Sequence, residues 1–218
     1  MSWDALLLSI RVSLIATVLT GCAGVASGYA LARCRFRGGR LLEAVASLPI
    51  VLPPTVLGYY LLVALGRRSP IGEAYEWVFG RPLVFTWQGA VVAASVASFP
   101  FCVRTARAAI ADVDPRLEEA ARTIGFREWQ VALRITLPLA RRGISAGVAL
   151  AFARALGDFG TTLMVAGNIP GRTQTMPLAI YDRVQAGDDP GALTLSLILS
   201  LVAVAALLSV ALLERRAW

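Results

Sequence analysis

From Val12 to Ala32 the chain runs for 21 residues without one charged side chain. At about 1.5 Å per residue, a helix of that length crosses roughly 30 Å of hydrocarbon. The pattern recurs in Ala44–Leu65, Leu83–Val103 and Gly191–Leu213, and in Gly143 to about Gly167 if Arg154 and Asp158 are set aside. With 57% hydrophobic residues and a mean hydropathy of +0.66, the composition is that of a polytopic membrane protein. The expected fold class is all-α: a polytopic membrane helical bundle with about five transmembrane helices, near 10–33, 44–65, 83–108, 141–167 and 191–213. Residues 1–218 are read as a single domain.

Charge orients the bundle. All 21 basic residues are arginine, and there is neither lysine nor histidine. Fourteen arginines fall in the segments that alternate to one side, six in those on the other, and Arg154 in a span. The arginine-rich side is cytoplasmic by the positive-inside bias, so the N-terminus lies outside and the C-terminus inside. The net charge of +7 is therefore explained by a lipid bilayer, with no nucleic acid among the partners. Lack of histidine removes the commonest general base and metal ligand and weighs against an enzyme. Cys22, Cys34 and Cys102 lie too far apart for a metal or redox motif and are read as reduced apolar filler. Leu19–Cys22 resembles a lipoprotein cleavage site, but no basic head precedes it, and a retained first span is expected.

Two spans are irregular. The second contains Pro49, Pro53 and Pro54, which call for a kinked or interrupted helix whose freed carbonyls need neighbours or a wet cavity. The fourth carries Arg154 and Asp158 four apart, on one helical face. Ionised groups at that depth face the bundle interior or a cavity. Two readings stay open: an ion pair that fixes register, or a part of a polar path through the bundle or its gate. The candidates for path or gate are Pro53, Pro54, Arg154, Asp158, Thr161, Thr162 and Asn168. Gly66–Pro82 reads as a polar outer loop, with Trp77 and Trp87 suited to a membrane interface. Asn168–Pro190 returns outside, with a short helix over Met176–Val184. Gly21, Gly24 and Gly28 suit close helix packing in lipid.

The densest charge lies in the loop 112–138. Asp114 is an N-cap and Pro115 a first helical residue. Leu117, Ala120, Ala121 and Ile124 form a small apolar stripe, and Gly125 supplies a left-handed stop. A second short helix, Phe126–Thr136, is expected to complete a knob outside the bilayer before Pro138 reopens the membrane run.

Glu119-Ala120-Ala121, then Gly125 after three intervening residues, then Ile135-x-Leu137-Pro138 after nine more, resembles the EAA loop of the membrane subunits of bacterial ABC importers. The resemblance implies a single ABC importer transmembrane domain whose loop forms a coupling helix. Glu119, Ala120, Ala121, Arg122, Thr123, Gly125, Arg127, Trp129 and Gln130 would meet a cytoplasmic ATPase. The stretches around Arg33–Glu73, Phe99–Arg104, Val148–Gly160 and Gly167–Tyr181 look like the molybdate branch, with tungstate and sulfate/thiosulfate permeases as near relatives. The implied assembly has a second copy of the chain, two ABC ATPase subunits and an external substrate-binding protein, in the bacterial inner membrane. No Walker A sequence is present, so ATP and Mg would be used by the partner ATPase and no cofactor is bound by this chain. The rival of another class is an ATP-independent carrier using Arg154 and Asp158 as a relay.

Overall fold

The structure is a computed structural model that describes residues 2–34 and 38–216. Arg35 and Arg37, read as inner-face arginines, lie outside the described residues. In chain order the helices are α1 (Ser2–Arg33), α2 (Gly39–Val51), α3 (Pro54–Leu65), α4 (Pro70–Phe79) and α5 (Trp87–Ala111). The chain continues as α6 (Pro115–Thr123), α7 (Glu128–Val131), a π-helical turn (Ala132–Thr136), α8 (Leu137–Leu156), α9 (Gly160–Ala166), α10 (Met176–Gln185) and α11 (Asp189–Arg216).

Helices α1, α5 and α8 form the centre, and they approach closely because their contact faces are small. A Cβ at Gly24 would stand 2.9 Å from Cβ of Cys102, and one at Gly28 3.0 Å from both Cβ of Ala106 and the Arg107 nitrogen. One at Gly143 would meet Ala109 at 2.3 Å. Without a water-driven force between helices in lipid, such dispersion contacts carry the packing. Gly28→Val should therefore destabilise the fold by about 1–3 kcal/mol. Gly21→Ala, where a Cβ meets only Val148 at an ordinary 3.6 Å, should leave the melting temperature of the purified protein unchanged. Buried hydroxyls are absorbed locally: Thr17 Oγ1 donates to the Ser13 carbonyl at 2.6 Å and Ser98 Oγ to that of Ala94 at 2.7 Å.

Four helical stretches are long and apolar enough to span a membrane: Trp3–Arg33, Trp87–Ala111, Glu128–Leu156 and Asp189–Ser209. The fifth expected span is α2 and α3, bent by 116° where they meet. Leu52 and Pro53 are extended there, with ψ of 138° and 137°, since proline disfavours a helical predecessor. Pro49, by contrast, sits inside α2. Other boundaries differ from the sequence reading. The expected outer loop 66–82 contains α4, whose cap Ser69 accepts from the Gly72 N–H at 2.9 Å and whose end is Gly80 at φ 67°. Pro70 takes the first helical position there. The expected fourth span stops as a helix at Leu156, and α9 is a separate piece.

The second short helix of the loop is not free-standing. Residues 128–156 are one continuous helix, and Pro138 lies inside it. A proline removes an intrahelical donor. The π-helical turn just before it shifts the register, with the Leu137 N–H reaching the Ala132 carbonyl.

Candidate functional site

Helix α6 begins where the Asp114 carboxylate accepts from the Arg116 N–H at 2.9 Å, with Pro115 next. It ends in a paired closure: Phe126 N–H to the Ala121 carbonyl at 3.1 Å, and Gly125 N–H to that of Arg122 at 3.0 Å. Gly125 has φ of +92°, which only glycine adopts without strain, so the turn between α6 and α7 rests on that residue. Arg122 clasps Glu128 across the turn, Nε to Oε1 at 2.7 Å and Nη2 to Oε2 at 3.1 Å. That hydrogen bond raises the Arg122 pKa and lowers the Glu128 pKa. The folded Glu128 value lies below the unfolded one, so any stabilisation is present above about pH 4.5 and fades as pH falls through the depressed pKa. Gln130 Oε1 accepts the Arg127 N–H at 2.8 Å, and Thr123 Oγ1 donates to the Ala120 carbonyl at 2.7 Å.

The face that α6 turns inward is not the apolar stripe. Ala121 is buried as expected, but Leu117, Ala120 and Ile124 are exposed, and Glu118, outside the stripe, is 3% exposed. Its Oε1 accepts from Arg33 Nε at 3.0 Å and from Thr136 Oγ1 at 2.7 Å. Arg33 Nη2 also donates to the Val113 carbonyl at 3.0 Å. One carboxylate thus pins α6 to the end of α1 and to the π-helical turn. Sequence reasoning missed it because Glu118 and Glu119 are adjacent, and only the fold shows which one turns in. The outward face presents Glu119 with Leu117, Ile124, Trp129 and Leu133, and Ile124 is 74% exposed.

At the far end of α8, Arg154 Nη1 donates to Asp158 Oδ1 at 2.9 Å. The pair exists, but not along one uninterrupted helix: α8 closes at Gly157 and Asp158 belongs to the break. Its other oxygen accepts from the Thr162 N–H at 2.9 Å and Oγ1 at 2.6 Å, so it holds the start of α9. Thr161 Oγ1 is buried and has no hydrogen-bond partner among the described residues. Pro54 packs onto α9 so closely that a Cβ at Gly160 would lie 2.9 Å from its own Cβ. Pro53 and Pro54, Asp158, Thr161 and Thr162 are therefore gathered where α3 meets α9. Asn168 is not with them. It donates to Asp182 Oδ1 at 2.7 Å and accepts from Gln174 at 3.1 Å, which fastens the 167–175 loop to α10.

Residues 23–218 match the family described as the binding-protein-dependent transport system inner membrane component. The chain belongs to that family. Among its relatives, the Molybdenum transport system permease protein ModB of Escherichia coli K12 is 49% identical over 208 residues, covering 94% of this chain and 90% of that one. ModB of Haemophilus influenzae is 44% identical over 193 residues, 88% and 82% of the two chains. The Sulfate transport system permease protein CysT of Escherichia coli K12 is 37% identical over 196 residues, 89% and 69%. The fold is also that of solved transporters. A bacterial ABC transporter that imports the polysaccharide alginate superposes with a TM-score of 0.77 at 16% identity, covering 98% of this chain and 78% of that one. The inward-facing methionine transporter MetNI gives 0.73 at 17% identity, over 100% and 94%. This transport-system component is thus a non-catalytic, multi-pass protein of the inner membrane, and its all-helical bundle is the importer fold.

Proposed function

We propose that this chain is the permease of a molybdate importer driven by ATP hydrolysis on separate subunits. The observation that carries the reading is α6: a short helix fixed from behind by Glu118 and closed by Gly125, with an exposed acidic and apolar ridge. Glu119, Leu117, Ile124 and Trp129 suit a cleft on an ATPase, where large apolar groups flanked by charge make good anchors. Ala120, Ala121, Arg122, Thr123, Arg127 and Gln130 shape the ridge. The arginine bias favours α6 in the cytoplasm, with the N-terminus outside and the C-terminus inside. ATP and Mg would act in the partner. The working assembly would hold two copies of this chain, two ATPases and an external binding protein. The relatives named for molybdenum transport support molybdate as the cargo.

The α3–α9 junction, with Pro53, Pro54, Thr161 and Thr162, is our candidate for the path or its gate. Asp158 has each oxygen engaged, which favours a positioning role for the Arg154–Asp158 pair over a proton relay.

Reconstituted vesicles holding this chain and its ATPase test the reading. Molybdate uptake should need ATP and the ATPase, and an ion gradient alone should drive none. Glu119→Ala and Gly125→Val should lower uptake at least tenfold while both variants remain inserted. Unimpaired uptake by both would count against the coupling role, and a sulfate excess that abolished molybdate uptake would favour sulfate as the cargo.

A further inference from the structure

Away from the α3–α9 junction, an open cleft of about 400 Å³ lies at the other end of the bundle from α6. Arg67, Arg81 and Arg172 line it with Trp87, Gln88 and Thr173, and among the described residues no acidic side chain does so. Arg67 is held by Glu76, with Nε to Oε2 at 3.0 Å. Arg81 and Arg172 make no ion pair among the described residues. A fourth guanidinium, that of Arg11, stands 4.0 Å from the centroid of the Trp87 ring.

The backbone adds to this field. Thr86 caps the 25-residue α5 within the cleft, accepting from the Gly89 N–H at 3.2 Å. The first-turn amides of a helix have no intrahelical acceptor and mark the positive end of its dipole. Phe85, in the cleft wall, is the non-glycine residue with positive φ among the described residues, at 59°. Its N–H donates to the Val165 carbonyl of α9 at 2.9 Å. Backbone strain of that kind persists where the surroundings enforce it, and such places are commonly ligand clamps.

We infer that this cleft binds a small dianionic oxyanion at the outer surface, as a station distinct from the α3–α9 junction. A tetrahedral dianion offers acceptors in several directions, and guanidinium groups answer it with paired, planar donors. The cleft is concave and of small-ligand size, which favours a free oxyanion over the acidic face of a protein. Being open to water, it should bind weakly and lose affinity with salt, because exposed charges are screened. The inference rests on the outward orientation and the oxyanion cargo proposed above.

The test is equilibrium binding of labelled molybdate to the full chain with its ATPase in lipid nanodiscs at low ionic strength. ATP-driven uptake by the same wild-type preparation is measured in parallel. The double variant Arg81→Gln/Arg172→Gln should bind at least tenfold more weakly, Arg81→Lys/Arg172→Lys, which keeps the charge but loses the paired donors, should fall between it and wild type, and Arg68→Gln, outside the lining, should bind as wild type. Added chloride should weaken wild-type binding. Equal binding by the glutamine variant would overturn the inference, even with wild-type uptake intact. So would unchanged molybdate binding with lost docking of the external binding protein, which would assign the arginines to a protein surface. Absent wild-type uptake, with binding still dependent on the arginines, would instead strike the transport reading and leave the cleft standing.

Discussion

Glu118→Ala should lower stability by about 3 kcal/mol, the scale for removing one partner of a buried ion pair. For a chain of this size that is a fall in melting temperature of roughly 6–12 °C. The carboxylate is 3% exposed and Arg33 only partly so, so solvent does little to replace what is lost. The variant strands the Thr136 hydroxyl and one edge of the Arg33 guanidinium, while Arg33 keeps the Val113 carbonyl. Glu118→Gln retains an acceptor for Thr136 and should recover part of the loss. A second readout separates stability from coupling: uptake per ATP hydrolysed should drop in the glutamine variant at a temperature where it remains folded. A melting temperature for the alanine variant within 2 °C (about 1 kcal/mol) of wild type would end the claim that α6 is pinned through this carboxylate.

Asp158→Ala should cost a similar amount, again about 3 kcal/mol. Asp158 is 2% exposed and accepts from Arg154, from the Thr162 N–H and from the Thr162 hydroxyl. Alanine leaves a cation and a helix-start amide facing each other across the break. Asp158→Asn keeps the shape and one acceptor but not the charge, so it should fall between. Arg154→Met separates the two roles of the carboxylate: if Asp158 chiefly starts α9, this variant should be milder than Asp158→Ala in thermal unfolding of the purified protein. Equal losses would place the weight on the ion pair instead.

Much of this was legible in the residues, because membrane spans are written in runs of uncharged side chains and their sides in arginines. The all-helical class followed from that. The Asp114–Pro115 start of α6 and its stop at Gly125 followed from backbone chemistry that depends on neighbours in sequence. What stayed hidden depends on neighbours in space. An apolar stripe of Leu117, Ala120 and Ile124 ordinarily turns inward, yet here a carboxylate does, because Arg33 arrives from a helix 80 residues away from its other acceptor, Val113. The break at Gly157 has its cause in Asp158, whose second oxygen holds the first turn of α9, and that required α9 to be seen as separate. Asn168 stands among the path candidates in the sequence reading, whereas its half-buried side chain bonds Asp182 and Gln174 and so ties the 167–175 loop to α10.

The unbroken helix from Glu128 to Leu156 has 29 residues, about 43 Å at the usual rise. The exposed ridge around Trp129 and the residue that starts α9 therefore sit near opposite tips of one continuous helix. A tilt of about 10° pivoted at the Trp129 end would carry the Leu156 end sideways by about 7 Å over that length. Under the proposed docking of an ATPase at the Trp129 end, a modest swing there would be enlarged at the tip where α9 starts, with no relay of intermediate contacts needed.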